Sequence, residues 1–389
     1  MNNFIFENRT KVVFGRGCVK EYLADFLDPY GPRILLAYGS GSVKRSGVYD
    51  EIFRILRLSG KEVTEFPDIS PSPTYSKVLE GAQLVRENGV NLILAVGGNA
   101  VLDCCKAVSM AAAYRGDLWA DFWAQQGVVD FQPVPLGAVV TTACAGSGMN
   151  GQAVLTNEKE GVKCGRNYPR CAPAFSLMDP AYACTVPRMK LASSGFGTFC
   201  QLLESYFCPP DTENVSDDLM EALMRGIIRD LRIAVNAPED YRAQSNLMWE
   251  AVLSGNCLIK LGKQADFPCH YVARQLEART GCPYGACLAV LVPALYRCAC
   301  EHQPDKFARF ARNVWGILPE GRTESVVARA GIDALASFAA ELRLPASLRE
   351  LGISQAEMLE GLAAACSLPA RCSLPLEQGA LQDILRECS

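Results

Sequence analysis

The stretch NLILAVGGNAVLDCCK, residues 91–106, constrains the fold more than any other part of the chain. Leu92, Ile93, Leu94, Ala95 and Val96 form an unbroken apolar run, the pattern of a strand covered on both faces. Gly97-Gly98 then lets the backbone turn sharply into a helix, whose first N–H groups have no partner within the helix. Such a turn accepts the phosphates of a nucleotide or dinucleotide. Gly-Gly after a strand also serves as a plain tight turn, so the two glycines alone leave both uses open.

The same alternation runs through the first half. RILLAY (33–38), KEVTEF (61–66), the strand at 91–96 and PLGAVVTT (135–142) read as strands, separated by helical patterns near 47–59, 72–89 and 99–113. This βαβ order predicts a doubly wound parallel sheet with ligands at the carboxyl ends of its strands. FIFENRTKVVFG, QAVLTN and FSLMDP read as shorter strands at the sheet edge. After Thr185-Val186-Pro187 the pattern is helical throughout, with segments near 188–207, 215–235, 238–261, 268–280, 284–302, 305–314, 322–342, 353–365 and 375–387. Two domains are therefore expected: α/β dinucleotide-binding over 1–186, and all-helical over 187–389.

Composition excludes several function classes. A net charge of −4 over 389 residues offers no broad basic field, so neither nucleic acid nor an anionic membrane is an expected partner. No apolar stretch approaches the ~20 residues that span a bilayer, and the N-terminus lacks the apolar core of a signal peptide, which points to the cytoplasm. Eighteen cysteines without an export signal read as small buried hydrophobes rather than a disulfide framework. Only His270 and His302 are histidines, so imidazole-based metal chemistry has little to draw on. Trp119, Phe122 and Trp123 either line a cleft or pack a core, and packing is the expected use.

GGNAVLD (97–103), AGSGMN (145–150), LMDPAY (177–182), a helix beginning near 188 and NLMWEAVLSGN (246–256) follow the motif order of the iron-type alcohol dehydrogenases. The chain resembles that family over essentially its whole length, most of all the NADPH-using butanol dehydrogenase and aldehyde reductase branch. The resemblance implies an α/β dinucleotide domain and a helical domain with a divalent metal and the nicotinamide in the cleft between them, and hydride transfer between NAD(P)H and a small alcohol or aldehyde. It also implies a homodimer. It places Gly97, Gly98, Asn99, Asp103, Thr141, Thr142 and Lys163 against the cofactor, and Gly39, Ser40, Gly41 and Ser42 at the adenosine ribose. An acidic residue there would bind both ribose hydroxyls. Its absence, with Lys44 nearby, favours NADP.

The chain departs from the family at both sites. GGGS stands as Gly97-Gly98-Asn99-Ala100, where Asn99 adds bulk and Ala100 lacks a hydroxyl. TGSE stands as Ala145-Gly146-Ser147-Gly148. The family's Asp and His on one helix, and two later His, fall on Gly197, Gln201, His270 and Tyr284, and a further family histidine falls on Arg274. One imidazole does not make a catalytic site that needs three protein ligands, so neither iron nor zinc is expected. Cys200, Cys269, Cys282 and Cys287 flank these positions and are read as buried thiols.

Three functions remain open. One is a metal-free NADP-dependent oxidoreductase in which Arg274 supplies charge, Tyr284 donates the proton and His270 completes the centre. A second is a catalytically silent binding or regulatory subunit. The third and least favoured is lyase chemistry of the dehydroquinate synthase kind.

Overall fold

The computed structural model describes residues 2–144, 146–210, 212–264, 268–353, 384–386 and 388. Its first part runs β1 (Lys11–Phe14), α1 (Cys18–Leu27), β2 (Arg33–Gly39), α2 (Ser42–Arg45), α3 (Val48–Leu58), β3 (Glu62–Ile69), α4 (Tyr75–Glu87), β4 (Leu92–Gly97), α5 (Asn99–Ala113), β5 (Leu136–Val140), β6 (Gln152–Asn157), β7 (Val162–Asn167) and β8 (Phe175–Met178). Six strands form one parallel sheet in the order β1-β8-β5-β4-β2-β3. All six residues of β4 are buried, as its unbroken apolar run requires.

Two of the short strands differ from the sequence expectation. FSLM is not at the edge: it lies between β1 and β5, and its four residues are all buried. QAVLTN leaves the main sheet and pairs antiparallel with Val162–Asn167 as a separate hairpin, its residues alternately buried and half-buried. Such alternation suits a strand with one covered face. Of the N-terminal run only Lys11–Phe14 is strand.

From Pro187 the described chain is helical: α6 (Arg188–Phe207), α7 (Val215–Ala234), α8 (Tyr241–Gly255), α9 (Pro268–Thr280), α10 (Tyr284–Ala299), α11 (Pro304–Trp315) and α12 (Glu324–Glu341). The helices expected at 353–365 and 375–387 fall almost wholly outside the described residues. No helix among the described residues is long and apolar enough to cross a membrane.

The chain divides into two compact units. Residues 239–256, with α8, belong to the α/β unit, while 1–6, 187–238 and 257–389 form the helical unit. A close backbone approach that periodicity does not encode joins α8 to the α/β unit. A Cβ on Gly255 would stand 2.2 Å from the carbonyl oxygen of Gly146, and Asn150 Nδ2 donates to the Gly255 carbonyl at 2.7 Å. Trp119, Phe122 and Trp123 are buried and pack against Tyr75, Tyr114 and Tyr168.

Candidate functional site

Within the α/β unit the sheet reverses its winding between β2 and β4. From β2 the chain moves outward to β3, then returns to lay β4 on the other side of β2. Doubly wound sheets bind ligands outside the carboxyl ends of the strands at this point. The register pairs Tyr38 with Val96, so Gly39 and Gly97 leave the sheet side by side. A Cβ on Gly97 would meet Val101 Cγ2 at 2.6 Å, and one on Gly39 would lie 3.8 Å from the same methyl. A Cβ on Gly98 would meet Thr142 Oγ1 at 2.9 Å. The glycines at 97 and 98 are thus demanded by packing inside the protein.

The start of α5 is open. No side chain caps it, and the N–H groups of Val101 and Leu102 both return to the Gly98 carbonyl at 3.1 and 3.2 Å. Among the described residues the Asn99 and Ala100 N–H groups make no hydrogen bond. Asn99 is exposed, and its Oδ1 accepts from the Ser147 N–H at 3.0 Å. Its bulk is therefore turned toward the 146–150 turn, and its amide donors remain unspent at the helix start.

The other candidate residues divide. Thr141 N–H donates to the Gly97 carbonyl at 3.1 Å, and Thr142 lies against Gly98. Lys163 Nζ donates to Ser72 Oγ at 2.9 Å, in the loop that follows β3. These positions share the carboxyl end of the sheet with Gly39 and Gly97. Asp103 is used differently. It is buried, accepts from Ser147 Oγ, and takes the Val154 N–H at 3.1 Å, so its carboxylate ties the 146–154 segment to α5.

Lys106 was not singled out in the sequence, although it is a lone cation in an apolar helix one turn from Asp103. Its ammonium lies within 2.7 Å of both Ser147 O and Ser147 Oγ, 3.0 Å of Asn150 Oδ1 and 2.9 Å of Gln152 O. Burial pushes its pKa down to about 8. Lys44 is likewise less free than its sequence position implies. Its ammonium is 3.6 Å from Glu65 Oε2 and 4.5 Å from the Tyr49 ring centre. Glu65 also accepts from the Tyr38 and Tyr49 hydroxyls, which holds its carboxyl below the usual range.

In the helical unit, Gly197, Gln201 and Glu204 recur at i, i+4 and i+7 and so share one face of α6. A Cβ on Gly197 would lie 3.6 Å from Tyr284 Cδ1, an ordinary contact. The His270 ring meets the Tyr284 ring edge-on, with centroids 5.4 Å apart. Glu204 is the residue the sequence reading missed. Its buried carboxylate takes the Cys269 N–H at 2.6 Å and the His270 N–H at 3.3 Å, capping the start of α9, and also touches His270 Nδ1. Its signal was a single acid in the apolar run of α6. Burial, and then the charge of Arg274, hold the imidazole well below its usual pKa.

Tyr284 keeps its hydroxyl out of solvent with no hydrogen-bond partner among the described residues. Burial raises that phenol well above its ordinary range, and Arg274 opposes the shift. Arg274 follows His270 by one turn of α9 and is half-buried. Cys200, Cys269 and Cys287 are buried, and Cys282 is half-buried with its Sγ 3.4 Å from the Leu351 carbonyl. Among the described residues, no group of three or more His, Cys, Asp or Glu side chains is placed to hold a metal ion.

Known proteins resemble the chain along nearly its whole length. Residues 9–180 match the family described as iron-containing alcohol dehydrogenase, and residues 191–384 match its C-terminal counterpart. The chain is 33% identical to the NADH-dependent butanol dehydrogenase A of Clostridium acetobutylicum over 91% of this chain and 90% of that protein. It is 32% identical to the NADPH-dependent aldehyde reductase YqhD of Escherichia coli, over 91% of this chain and 90% of that protein. The crystal structure of the NADH-dependent butanol dehydrogenase A of Thermotoga maritima superposes with a TM-score of 0.93 at 29% identity, covering 100% of this chain and 99% of that one.

Proposed function

The chain belongs to the iron-containing alcohol dehydrogenase family, and from that premise we propose that it moves a hydride between NAD(P)(H), with NADP favoured, and a small aldehyde or alcohol, at a centre that does not rely on a divalent metal. The observation that carries this reading is the shielded Tyr284 hydroxyl, which has no partner among the described residues and lies where the family resemblance puts a metal ligand. The donor set at Gly197, Gln201, His270 and Tyr284 does not fit a divalent cation. Gly197 has no side chain, the His270 ring is engaged by Glu204, and the Arg274 charge opposes a cation nearby.

The residues that would hold the dinucleotide do fit. The open N–H groups of Asn99 and Ala100, the Asn99 amide and the Gly97–Gly98 turn offer donors to a pyrophosphate at the switch point. Gly39–Ser42 and Thr141–Thr142 flank them. When bound, the nicotinamide supplies the hydride. Tyr284 donates a proton to the carbonyl oxygen as it becomes an alkoxide, and Arg274 stabilises the charge that develops there. Glu204 fixes the His270 ring, which buttresses the phenol edge-on.

NADPH oxidation with butyraldehyde, unaffected by a chelator, is the result that supports this reading. Loss of all turnover on chelation would refute the metal-free centre, and absence of NADPH and NADH binding would leave the silent-subunit reading standing.

Asn99→Asp gives a sharper test because its two effects have opposite signs. A carboxylate at the first position of α5 favours the helix by about 0.5 kcal/mol. The same charge repels a pyrophosphate. Thermal melts are expected to hold steady or rise slightly, while calorimetry shows NADPH binding weakened by about tenfold.

Cofactor choice has its own test. Glu65→Gln removes the carboxylate that balances Lys44 beside the Gly39–Ser42 turn. The ratio of NADPH to NADH affinity is expected to rise by about two- to fivefold, the range of an exposed charge pair. An unchanged ratio would separate Lys44 from cofactor recognition.

A further inference from the structure

The 146–150 turn has no part in the chemistry above, yet a buried lysine grips it. Lys106 is 1% exposed. Its ammonium serves four oxygens of one short segment: Ser147 O and Oγ at 2.7 Å, Asn150 Oδ1 at 3.0 Å and Gln152 O at 2.9 Å. Asp103, one turn earlier on α5, accepts from Ser147 Oγ and from the Val154 N–H at 3.1 Å. Asn150 donates its amide to the Gly146 and Gly255 carbonyls at 3.1 and 2.7 Å. All of these residues belong to the α/β unit.

Stability alone is a poor reason for such a group. Well-packed apolar residues often replace a buried ion pair without loss, whereas a fully bonded charge permits few arrangements of its partners. What this arrangement fixes is Ser147. Its carbonyl and hydroxyl are both held, so its N–H has a set direction, and that N–H donates to Asn99 Oδ1 at 3.0 Å. Asn99 is exposed, and an unanchored side chain there would exchange rotamers freely. Held by its oxygen, Asn99 keeps its amide donors for the uncapped start of α5.

Resting on the reading of that helix start as the pyrophosphate site, we propose that Lys106 is a positioning residue for the dinucleotide, acting through Ser147 to hold the Asn99 amide toward the phosphates. Burial pushes the Lys106 pKa down to about 8, against the opposing pull of Asp103 and Cys105 on its own helix and Cys171 in the 169–171 turn. The 146–152 segment and β6 carry no titratable side chain. Rising pH therefore removes the charge while ordinary lysines keep theirs. A neutral amine has two N–H donors for the four oxygens, and the hold on Ser147 slackens.

The test is calorimetric binding of NADPH to the full chain at neutral and at alkaline pH, on either side of that pKa. Wild-type affinity is expected to fall by at least about threefold on the alkaline side, whereas Asn99→Ala starts about tenfold weaker and stays level. At neutral pH, Lys106→Met is expected to weaken NADPH about tenfold in the wild-type background and less than about twofold in the Asn99→Ala background. A merely structural lysine would give equal losses in both backgrounds. That result, or an alkaline fall that persists in Asn99→Ala, would overturn the proposal. A level wild-type profile would overturn it as well, and this arm decides the matter if Lys106→Met does not fold. Failure of the wild type to bind either NADPH or NADH would remove the cofactor site along with its positioning residue, whereas binding without coupling removes only the latter.

Discussion

Gly285→Ala is expected to leave the helical unit severely destabilised, by about 3 kcal/mol or more, seen as a large drop in the urea midpoint or as insoluble protein. Gly285 is the second residue of α10, and a Cβ there would stand 1.8 Å from the Ser193 carbonyl oxygen and 2.6 Å from its carbon. Ser193 belongs to the first turns of α6, so the clash is between two helix backbones and no side-chain rotation relieves it. Gly197→Ala, one turn further along α6, is the internal control. Its Cβ would make ordinary contact with Tyr284 Cδ1 at 3.6 Å, and alanine is the better helix former by about 1 kcal/mol. One glycine is required by contact, the other only tolerated. Equal stability of the two variants would show that α6 and α10 do not cross as closely as described.

Tyr284→Phe separates chemistry from folding. Turnover with NADPH and a carbonyl substrate is expected to fall by about a hundred- to a thousandfold, the span of a lost general acid, with cofactor affinity unchanged. Stability should not fall with it. The hydroxyl has no partner among the described residues, so its removal relieves a desolvation cost of about 1 kcal/mol, and the melting temperature is expected to hold or rise. A structural tyrosine would give the reverse: lower stability with turnover largely kept. Unchanged turnover would remove Tyr284 from the chemistry.

The sequence was most readable where one local rule decides the outcome. The apolar run at 92–96 and the glycines after it specify β4 and the turn into α5 without help from elsewhere, and the helices from α6 to α12 follow from periodicity. Tertiary partners were not readable. FSLM carries no sign that it enters the sheet interior, because a four-residue apolar strand looks the same at an edge or within. The segment 239–256 is amphipathic like its helical neighbours, and only tertiary contacts, the meeting of Gly146 with Gly255 and the packing of Trp249 on Phe14 among them, assign it to the α/β unit.

The candidate site divides along the same line. Residue types at 197, 201, 270, 274 and 284 could be read directly, and so could the open start of α5. The engagement of His270 by Glu204, the compensation of Lys44 by Glu65 and the four acceptors around Lys106 could not. Each depends on a residue brought near by the fold rather than by the chain.

The return of residues 239–256 to the α/β unit sets an order for synthesis. A ribosome that has emitted everything up to Val186 has made all eight strands, yet the Asn150 side chain still lacks the Gly255 carbonyl it will bond. The nascent unit must wait for fifty-odd residues of intervening helical chain (187–238) to emerge before its last helix arrives. A fragment cut at the apparent boundary would remain open where the 146–150 turn should close.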